Sequence, residues 1–198
     1  MLNLPQDIIE VGVDEVGRGT LYGPVVAAAV ILPHEYHEEY ENIIDSKKLS
    51  EIKREKVATF IKEKALAVGI GVASAEEIDD VNILQATYIA MHRALDQIVI
   101  PYDLIRVDGN RFKPYKDKKY TCEVKGDATY LSIAAASIVA KVHRDGLIIA
   151  DVATHPELEK YDLSNNKGYG TAKHVAALTK YGPFIGGHRL TFRPIYKP

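Results

Sequence analysis

The chain has one cysteine among its 198 residues, Cys122, and it lacks a long hydrophobic segment. A lone cysteine cannot form an internal disulfide or a cysteine-based metal centre, and it is typical of a reducing compartment. The longest strongly apolar run, residues 25–32, is far shorter than the roughly 18 residues that a transmembrane helix needs. No charged segment followed by an apolar one opens the chain, so a secretory signal is not expected. These absences predict a cytoplasmic protein without a membrane span.

The net charge is only −2, but positive and negative residues are unevenly distributed along the chain, and some long stretches hold almost none of one sign. Residues 160–198 hold seven Lys and Arg against one acidic residue, and residues 111–125 hold six against two. Residues 74–103 show the reverse, with six acidic residues against one arginine. Such asymmetry is expected of a surface that follows nucleic-acid phosphates, and a set of solvated faces explains it equally well.

Hydrophobic residues make up 46% of the chain and charged residues 26%, as in an ordinary globular protein. The periodicity of the apolar residues predicts alternating strands and helices. We expect strands over 8–13, 25–32, 66–73, 104–107 and 120–124, the first two antiparallel, and helices over 51–65, 84–98, 130–150 and 172–180. The sequence therefore predicts an α/β protein, with a mixed β-sheet flanked by helices and a helical C-terminal extension.

Acidic residues occur where predicted strands end. Asp14 and Glu15 follow the first strand, Asp108 follows a later one, and Asp127 precedes the alanine-rich helix. Ligand sites in open α/β sheets lie at the carboxyl ends of strands, so these side chains are expected to converge. Converging carboxylates favour hard cations such as Mg²⁺ or Mn²⁺, two of which can assist phosphodiester hydrolysis. Isolated acidic residues at strand ends also cap turns, and spacing alone leaves that alternative open.

Eight motifs occur in the order in which one known family has them. They are DEVGRG at 14–19, YGPVVAAA at 22–29, DSKKL at 45–49, VDGN at 107–110, KGD at 125–127, SIAAASIVAKVHRD at 132–145, KGYGT at 167–171 and HRLTFRP at 188–194. Together they span most of the chain, and in this order they closely resemble the ribonuclease HII family.

The resemblance implies an endoribonuclease that cleaves the RNA strand of RNA–DNA hybrids and nicks duplex DNA 5′ of single ribonucleotides, leaving 3′-hydroxyl and 5′-phosphate ends. It implies an RNase H-like catalytic domain over 1–155 and an extension over 156–198 that completes the substrate site. By motif position, the catalytic and metal-binding carboxylates are Asp14, Glu15, Asp108 and Asp127, with Mg²⁺ or Mn²⁺ and two ions during catalysis. The expected partners are RNA–DNA hybrids and ribonucleotide-containing DNA, with no membrane, and we expect a monomer.

The resemblance also assigns substrate contacts. The segment Gly17, Arg18 and Gly19 contacts the ribose in the family, and the tyrosine matching Tyr169 stacks on the deoxyribose that follows. Lys47, Lys141 and Arg144 are candidate phosphate contacts, the last two one helical turn apart. The family often has proline where this chain has Gly170, which makes the turn around Tyr169 less constrained than in those relatives.

Neighbouring residues on a regular strand point to opposite faces of the sheet. Asp14 and Glu15 can therefore serve one site only if the strand is distorted, or if one of them uses its backbone carbonyl.

Other residues have structural or competing interpretations. We expect Asp45, Asp145 and Asp151 to pair or cap, and His34 and His37 to be solvated, outside any metal site. His188 and Arg189 either bind phosphate or tie the C-terminal extension to the body.

The sequence has two alternative functional interpretations. Ribonuclease HIII is similar around the first motif, but it has an additional N-terminal substrate-binding domain, for which a strand starting near residue 8 leaves no room. A non-catalytic module that binds RNA–DNA hybrids is the second alternative, and four retained carboxylates argue against it.

Overall fold

The computed structural model describes residues 8–195, which form a five-stranded mixed β-sheet covered by helices on both faces. The strands are β1 Glu10–Val16, β2 Val25–Ile31, β3 Ala67–Ala73, β4 Leu104–Asp108 and β5 Tyr120–Glu123. Their order across the sheet is β3-β2-β1-β4-β5. The first three strands pair antiparallel, whereas β4 pairs parallel with both β1 and β5. The predicted mixed sheet and the antiparallel β1–β2 pair are confirmed.

Six α-helices accompany the sheet in the described part of the chain. They are α1 Glu51–Lys64, α2 Ala75–Val81, α3 Ile83–Asp96, α4 Leu131–Thr154, α5 Leu163–Asn166 and α6 Ala172–Tyr181. Short 3₁₀ helices cover Glu38–Asn42, Ser46–Lys48, Gly126–Ala128 and Pro156–Tyr161. The long helices lie where the apolar periodicity predicts them, although α4 extends four residues beyond its predicted end. The short helices α2 and α5 and the 3₁₀ segments were not predicted. Among residues 8–195, no helix is long and apolar enough to cross a membrane.

The strand β2 lies inside the sheet and is buried along its whole length. Its alternate side chains enter two different cores, because successive residues of a strand face opposite ways. Val25, Ala27 and Ala29 pack with α3, whereas Val26 and Ala28 pack with α1 and α4. This double burial explains why the segment is a continuous apolar run rather than an alternating one.

A third apolar cluster joins the C-terminal region to the body. Side chains from α6 and from residues 158–163 pack against the end of α4 and against Leu21 and Tyr22. The loop after β1 is therefore enclosed between the body and the C-terminal region.

Glycines on β3 allow α3 to lie directly against the sheet. A Cβ atom at Gly71 would collide with the carbonyl oxygen of Ala90, and one at Gly69 would collide with that of Ala94. Because both obstacles are helix backbone, no side-chain rotation can relieve the collision.

We expect Gly71→Ala to lower the free energy of unfolding by about 3 kcal/mol or more, because the helix must move off the sheet. The matched control is Gly146→Ala on α4, where an added Cβ meets no atom within 4 Å. Removing a helical glycine at an open position is expected to be neutral or stabilising by about 0.5–1 kcal/mol. Urea denaturation of both variants measures the difference, and equal stability would show that the sheet and helix are not held this closely.

Candidate active site

Asp14 and Glu15 lie on a regular stretch of β1. Asp14 is opposite Ala28 on β2 and Glu15 is opposite Ala27, without a break in the antiparallel register. Asp14 consequently faces α4, where its carboxylate contacts Ser137, and Glu15 faces the α3 side. The strand is therefore not distorted at Asp14 and Glu15. For both residues to serve one site, one of them would have to use its backbone carbonyl.

The other two acidic residues come from β4 and from the turn that follows β5. Asp108 is the last residue of β4, and Asp127 lies in the 3₁₀ helix Gly126–Ala128. The backbone N–H of Gly126 donates to Asp108 Oδ1 at 2.7 Å, and the backbone of Asp127 also contacts that carboxylate. The parallel pairing of β1 with β4 carries Asp108 to the edge of the sheet where Asp14 lies.

The carboxylates influence one another's ionisation through Asp108. Burial raises the pKa of Asp14 well above its ordinary value, and the negative charges of Glu15 and Asp108 raise it further. Burial also raises the pKa of Glu15, against the opposing effect of Arg18. For Asp108, burial raises the pKa, and the charge of Asp127 adds to the increase. Each of the four acidic residues is thus close enough to another to affect its charge.

This donor set fits a hard divalent cation in its chemistry. The four residues offer carboxylate oxygens or, for one of Asp14 and Glu15, a backbone carbonyl oxygen, and Mg²⁺ and Mn²⁺ prefer such oxygen ligands. Buried like charges are also stabilised by a cation. As the side chains are placed, however, no three His, Cys, Asp or Glu residues within 8–195 form a ready-made coordination group.

A cavity of about 130 Å³ opens beside Glu15 and Asp108. Arg18, Asn110 and Arg111 also line it, opposite side chains from α3. Arg111 was not among the predicted site residues, although it directly follows the VDGN motif and belongs to a basic stretch. It is a cation at the mouth of an acidic site.

The loop Gly17–Gly19 follows β1 and presents one open position. Gly17 has a φ of +92°, and a side chain there would collide with Arg144. At Gly19, by contrast, an added Cβ would meet nothing within 4 Å, so the backbone there is open to an approaching group. Between them, Arg18 is exposed and its guanidinium lies 3.4 Å from Glu15 Oε1.

Arg144 is wholly buried, which contradicts its predicted contact with phosphate. Its guanidinium donates to the carbonyl oxygens of Pro24, Tyr22 and Lys167 and to Thr20 Oγ1, at 2.8–3.0 Å. These bonds occupy the donors that a phosphate would need. Helical spacing placed Arg144 near Lys141 correctly, but the spacing does not reveal that the C-terminal region covers it. Arg144 instead fixes the loop after β1.

His188 and Arg189 tie the C-terminal region to the body of the protein, which was one of their two predicted roles. Arg189 is buried and donates to the carbonyl oxygens of Gly23 and Arg18. His188 is buried as well and contacts His174 of α6. The expected structural roles of Asp45, Asp145 and Asp151 are also found, since they contact Lys47 N–H, Lys141 Nζ and Tyr22 Oη respectively.

Tyr169 lies beside the loop after β1, with 41% of its surface exposed. A β-bridge joins it to Thr20, and Lys141 Nζ lies 5.3 Å from the centre of its ring. Lys141 is also paired with Asp145 at 2.8 Å. Lys47 is exposed on the 3₁₀ helix Ser46–Lys48. The structure thus brings Tyr169 and Lys141 together beside the Gly17–Gly19 loop.

We expect Asp14→Asn to raise the stability of the metal-free protein by about 1 kcal/mol at pH 7. A raised pKa means that the charged carboxylate is disfavoured in the folded state, so removing its charge relieves that cost. The gain should fade as the pH falls and Asp14 of the parent protein becomes protonated. Thermal unfolding in EDTA at several pH values tests this.

The matched control is Asp151→Asn, whose carboxylate accepts a hydrogen bond from Tyr22 and for which no gain is expected. A loss of stability in Asp14→Asn would show instead that the hydrogen bonds from Ser137 and the N–H of Glu15 stabilise the charged carboxylate by more than its burial costs.

Comparison with known proteins identifies the family. The family model described as Ribonuclease HII matches residues 11–194. Ribonuclease HII of Phocaeicola vulgatus is 49% identical over 191 residues, covering 96% of this chain and 91% of the relative. The crystal structure of ribonuclease H2 from Pyrococcus horikoshii OT3 superposes with a TM-score of 0.76 at 26% identity, covering 94% of both chains.

The structure of Bst-RNase HIII in complex with Mn²⁺ is similar at a TM-score of 0.71 and 18% identity, and this chain covers 68% of it. At that identity the likeness shows a shared fold alone, and it does not favour the ribonuclease HIII alternative. Because the family model spans nearly the whole described chain and relatives near half identity cover almost all of it, the chain belongs to the ribonuclease HII family.

Proposed function

We propose that the chain, an endoribonuclease of RNA–DNA hybrids by its family, also nicks duplex DNA on the 5′ side of a single embedded ribonucleotide. The products are 3′-hydroxyl and 5′-phosphate ends. The observation that carries the proposal is the coupled carboxylate set beside an open glycine loop and an exposed tyrosine. The first feature suits phosphodiester hydrolysis, and the other two suit recognition of a sugar.

The proposed catalytic residues are Asp14, Glu15, Asp108 and Asp127. They would hold Mg²⁺ or Mn²⁺, two ions during catalysis, and bound ions would supply an activated water and charge stabilisation at the leaving oxygen. The N–H of Gly126 keeps the Asp108 carboxylate oriented, and the N–H of Glu15 does the same for Asp14. Arg18 holds the carboxylate of Glu15 from the loop side. These bonds leave other carboxylate oxygens of both aspartates for a cation.

The proposed reading of the substrate rests on the Gly17–Gly19 loop. A ribose differs from a deoxyribose by its 2′-hydroxyl, which both donates and accepts hydrogen bonds. Backbone groups at an open glycine can approach such a hydroxyl closely, because no side chain intervenes. Tyr169 then presents a flat ring to the adjoining deoxyribose, while Lys141 and Lys47 offer positive charge to phosphates. Arg111 is a further cation at the cavity.

Residues 156–198 are proposed to complete the substrate site of a catalytic domain formed by residues 1–155. The supporting observation is that Tyr169 and the partners of the loop after β1 come from this region. The monomeric state and the cytoplasmic location expected from the sequence stay predictions.

Replacing Asp14, Asp108 or Asp127 with Asn should lower the rate of nicking by about 100-fold or more, because each carboxylate is proposed to hold the catalytic cations. The measurement uses a DNA duplex with one ribonucleotide, titrated with Mg²⁺ or Mn²⁺, and maps the cut by product length. Asp151→Asn is the control and should cut at the parental rate.

A cut on the 3′ side of the ribonucleotide would contradict the proposed position. Tight binding to the duplex with no metal-dependent nicking would favour the non-catalytic hybrid-binding module instead.

Tyr169→Ala should slow nicking at a single ribonucleotide about ten- to a hundredfold, since losing an aromatic platform costs about 1–3 kcal/mol. Tyr169→Phe keeps the ring and should retain most activity. Cleavage of a long RNA–DNA hybrid should suffer less than nicking, because the ring is proposed to read the deoxyribose. The cleavage rates of both variants on both substrates test whether Tyr169 acts at the junction. Equal losses on the two substrates would rule out a junction-specific role.

A further inference from the structure

Two buried histidines face each other behind Tyr169. His174 lies on α6 and His188 lies in the segment that follows Gly187, and both are almost completely buried. Their Nε2 atoms are 3.0 Å apart. At that distance one nitrogen carries a proton and the other accepts it. Neither residue is part of the carboxylate site.

The neighbours of the pair fix which nitrogen carries each proton. Two backbone groups of Phe184 lie near His188 Nδ1, the N–H at 2.9 Å and the carbonyl oxygen at 3.3 Å. The N–H can only donate, and it makes the shorter contact, so we assign Nδ1 as an acceptor and place the proton of neutral His188 on Nε2. His188 then donates to His174 Nε2, which leaves the proton of His174 on Nδ1. That Nδ1–H lies 2.9 Å from the carbonyl oxygen of Tyr169, to which it donates. The result is one ordered chain of hydrogen bonds from Phe184 to Tyr169.

Neutral rings are required for this order. Burial lowers the pKa of His174, and burial together with its histidine neighbour lowers the pKa of His188 to about 4. Asp162 opposes the shift at His174, and Lys160 adds to the shift at His188. Tyr22 and Tyr161 pack edge-on against the ring of His188 and keep water away from it.

The same chain of bonds joins the two segments that flank the end of the loop after β1. The N–H of Leu21 donates to Gly168 O on one side, and Leu21 O accepts from the N–H of Arg189 on the other. The segment around Leu21 therefore lies between the Tyr169 segment and the His188 segment, as in a small three-stranded sheet. The histidine contact joins the two outer segments directly. Tyr169 is thus tied to the loop through its backbone while its ring stays exposed.

We propose that His174 and His188 are positioning residues, which set the Tyr169 ring against the Gly17–Gly19 loop and so determine selectivity for a junction between a ribonucleotide and a deoxyribonucleotide. The inference rests on the proposed role of Tyr169. If the pair only filled space, apolar rings would serve, whereas each nitrogen here has a specific partner. The chain of bonds also ends on the carbonyl of the residue whose ring is exposed.

Two amide variants of His174 separate positioning from packing. The side-chain N–H of Asn can replace Nδ1–H and keep the bond to Tyr169, while Gln reaches toward His188 and loses that bond. We expect His174→Gln to slow nicking at a single ribonucleotide about tenfold and to spare cleavage of long hybrids. His174→Asn should stay within about threefold of the parent. His143→Gln is the control, since this half-buried histidine of α4 faces Lys62 and not the pair.

The double-mutant cycle with Tyr169→Ala tests whether the effect passes through Tyr169. We expect His174→Gln to cause no further loss in the Tyr169→Ala background. Equal losses for the Asn and Gln variants, or a loss that persists without the Tyr169 ring, would overturn the proposal in favour of simple packing. If Tyr169→Ala impairs nicking but His174→Gln does not, the inference fails alone. If Tyr169→Ala has no effect, its proposed stacking role and the inference fail together.

A measurement on the unaltered protein does not depend on whether any variant folds. Nitrogen-15 NMR at neutral pH distinguishes the two neutral forms of each histidine ring. We expect His174 protonated on Nδ1 and His188 protonated on Nε2. His174 protonated on Nε2 would leave the Tyr169 carbonyl without this donor and would overturn the proposal.

Discussion

The guanidinium of Arg144 is wholly buried and donates hydrogen bonds to acceptors from two distant parts of the chain. Three of them, on Thr20, Tyr22 and Pro24, belong to the loop after β1, and the fourth is the carbonyl oxygen of Lys167. Because Arg144 lies on the long helix α4, it fixes the loop after β1 relative to the helix whose Ser137 contacts the Asp14 carboxylate. The position of the Gly17–Gly19 loop relative to the acidic residues thus depends on one buried side chain.

Periodicity in the sequence was enough to predict the sheet and the long helices, because each has a strong apolar pattern. The continuous run of β2 and the spaced apolar residues of α3 are such cases. The segments that were missed, such as Pro156–Tyr161 and α5, are too short to show a period. Their backbone conformation is set by packing against Tyr22 and α4, which depends on contacts far along the chain.

The parts of the candidate site that could be predicted are those whose signal lies in neighbouring residues of the sequence. Carboxylates after strands predict a convergent acidic site, and the charge of Asp108 raises the pKa of both Asp14 and Glu15. Arg144 shows where such reasoning fails, because charge and helical spacing suggest a phosphate contact while burial excludes it. Arg144 is buried by two distant segments, the loop after β1 and the region around Lys167, and no local pattern reports such contacts. The histidine pair was missed for the same reason, since its members are 14 residues apart and meet only through the small sheet around Leu21.

Buried groups of opposite charge lie on the two sides of the loop after β1. On one side lie buried carboxyls whose pKa values are raised. On the other lie the buried guanidiniums of Arg144 and Arg189, whose hydrogen-bond acceptors are all uncharged. Burial lowers the pKa of Arg189 to about 9, and the nearby charge of Arg144 contributes. Each group of like charges is costly on its own. A nucleic-acid strand with its cations would meet both at once, since cations offset the carboxylates and phosphates feel the positive field beneath the loop. Under the proposed function, a bound nucleic-acid strand and its cations would therefore offset both costs together.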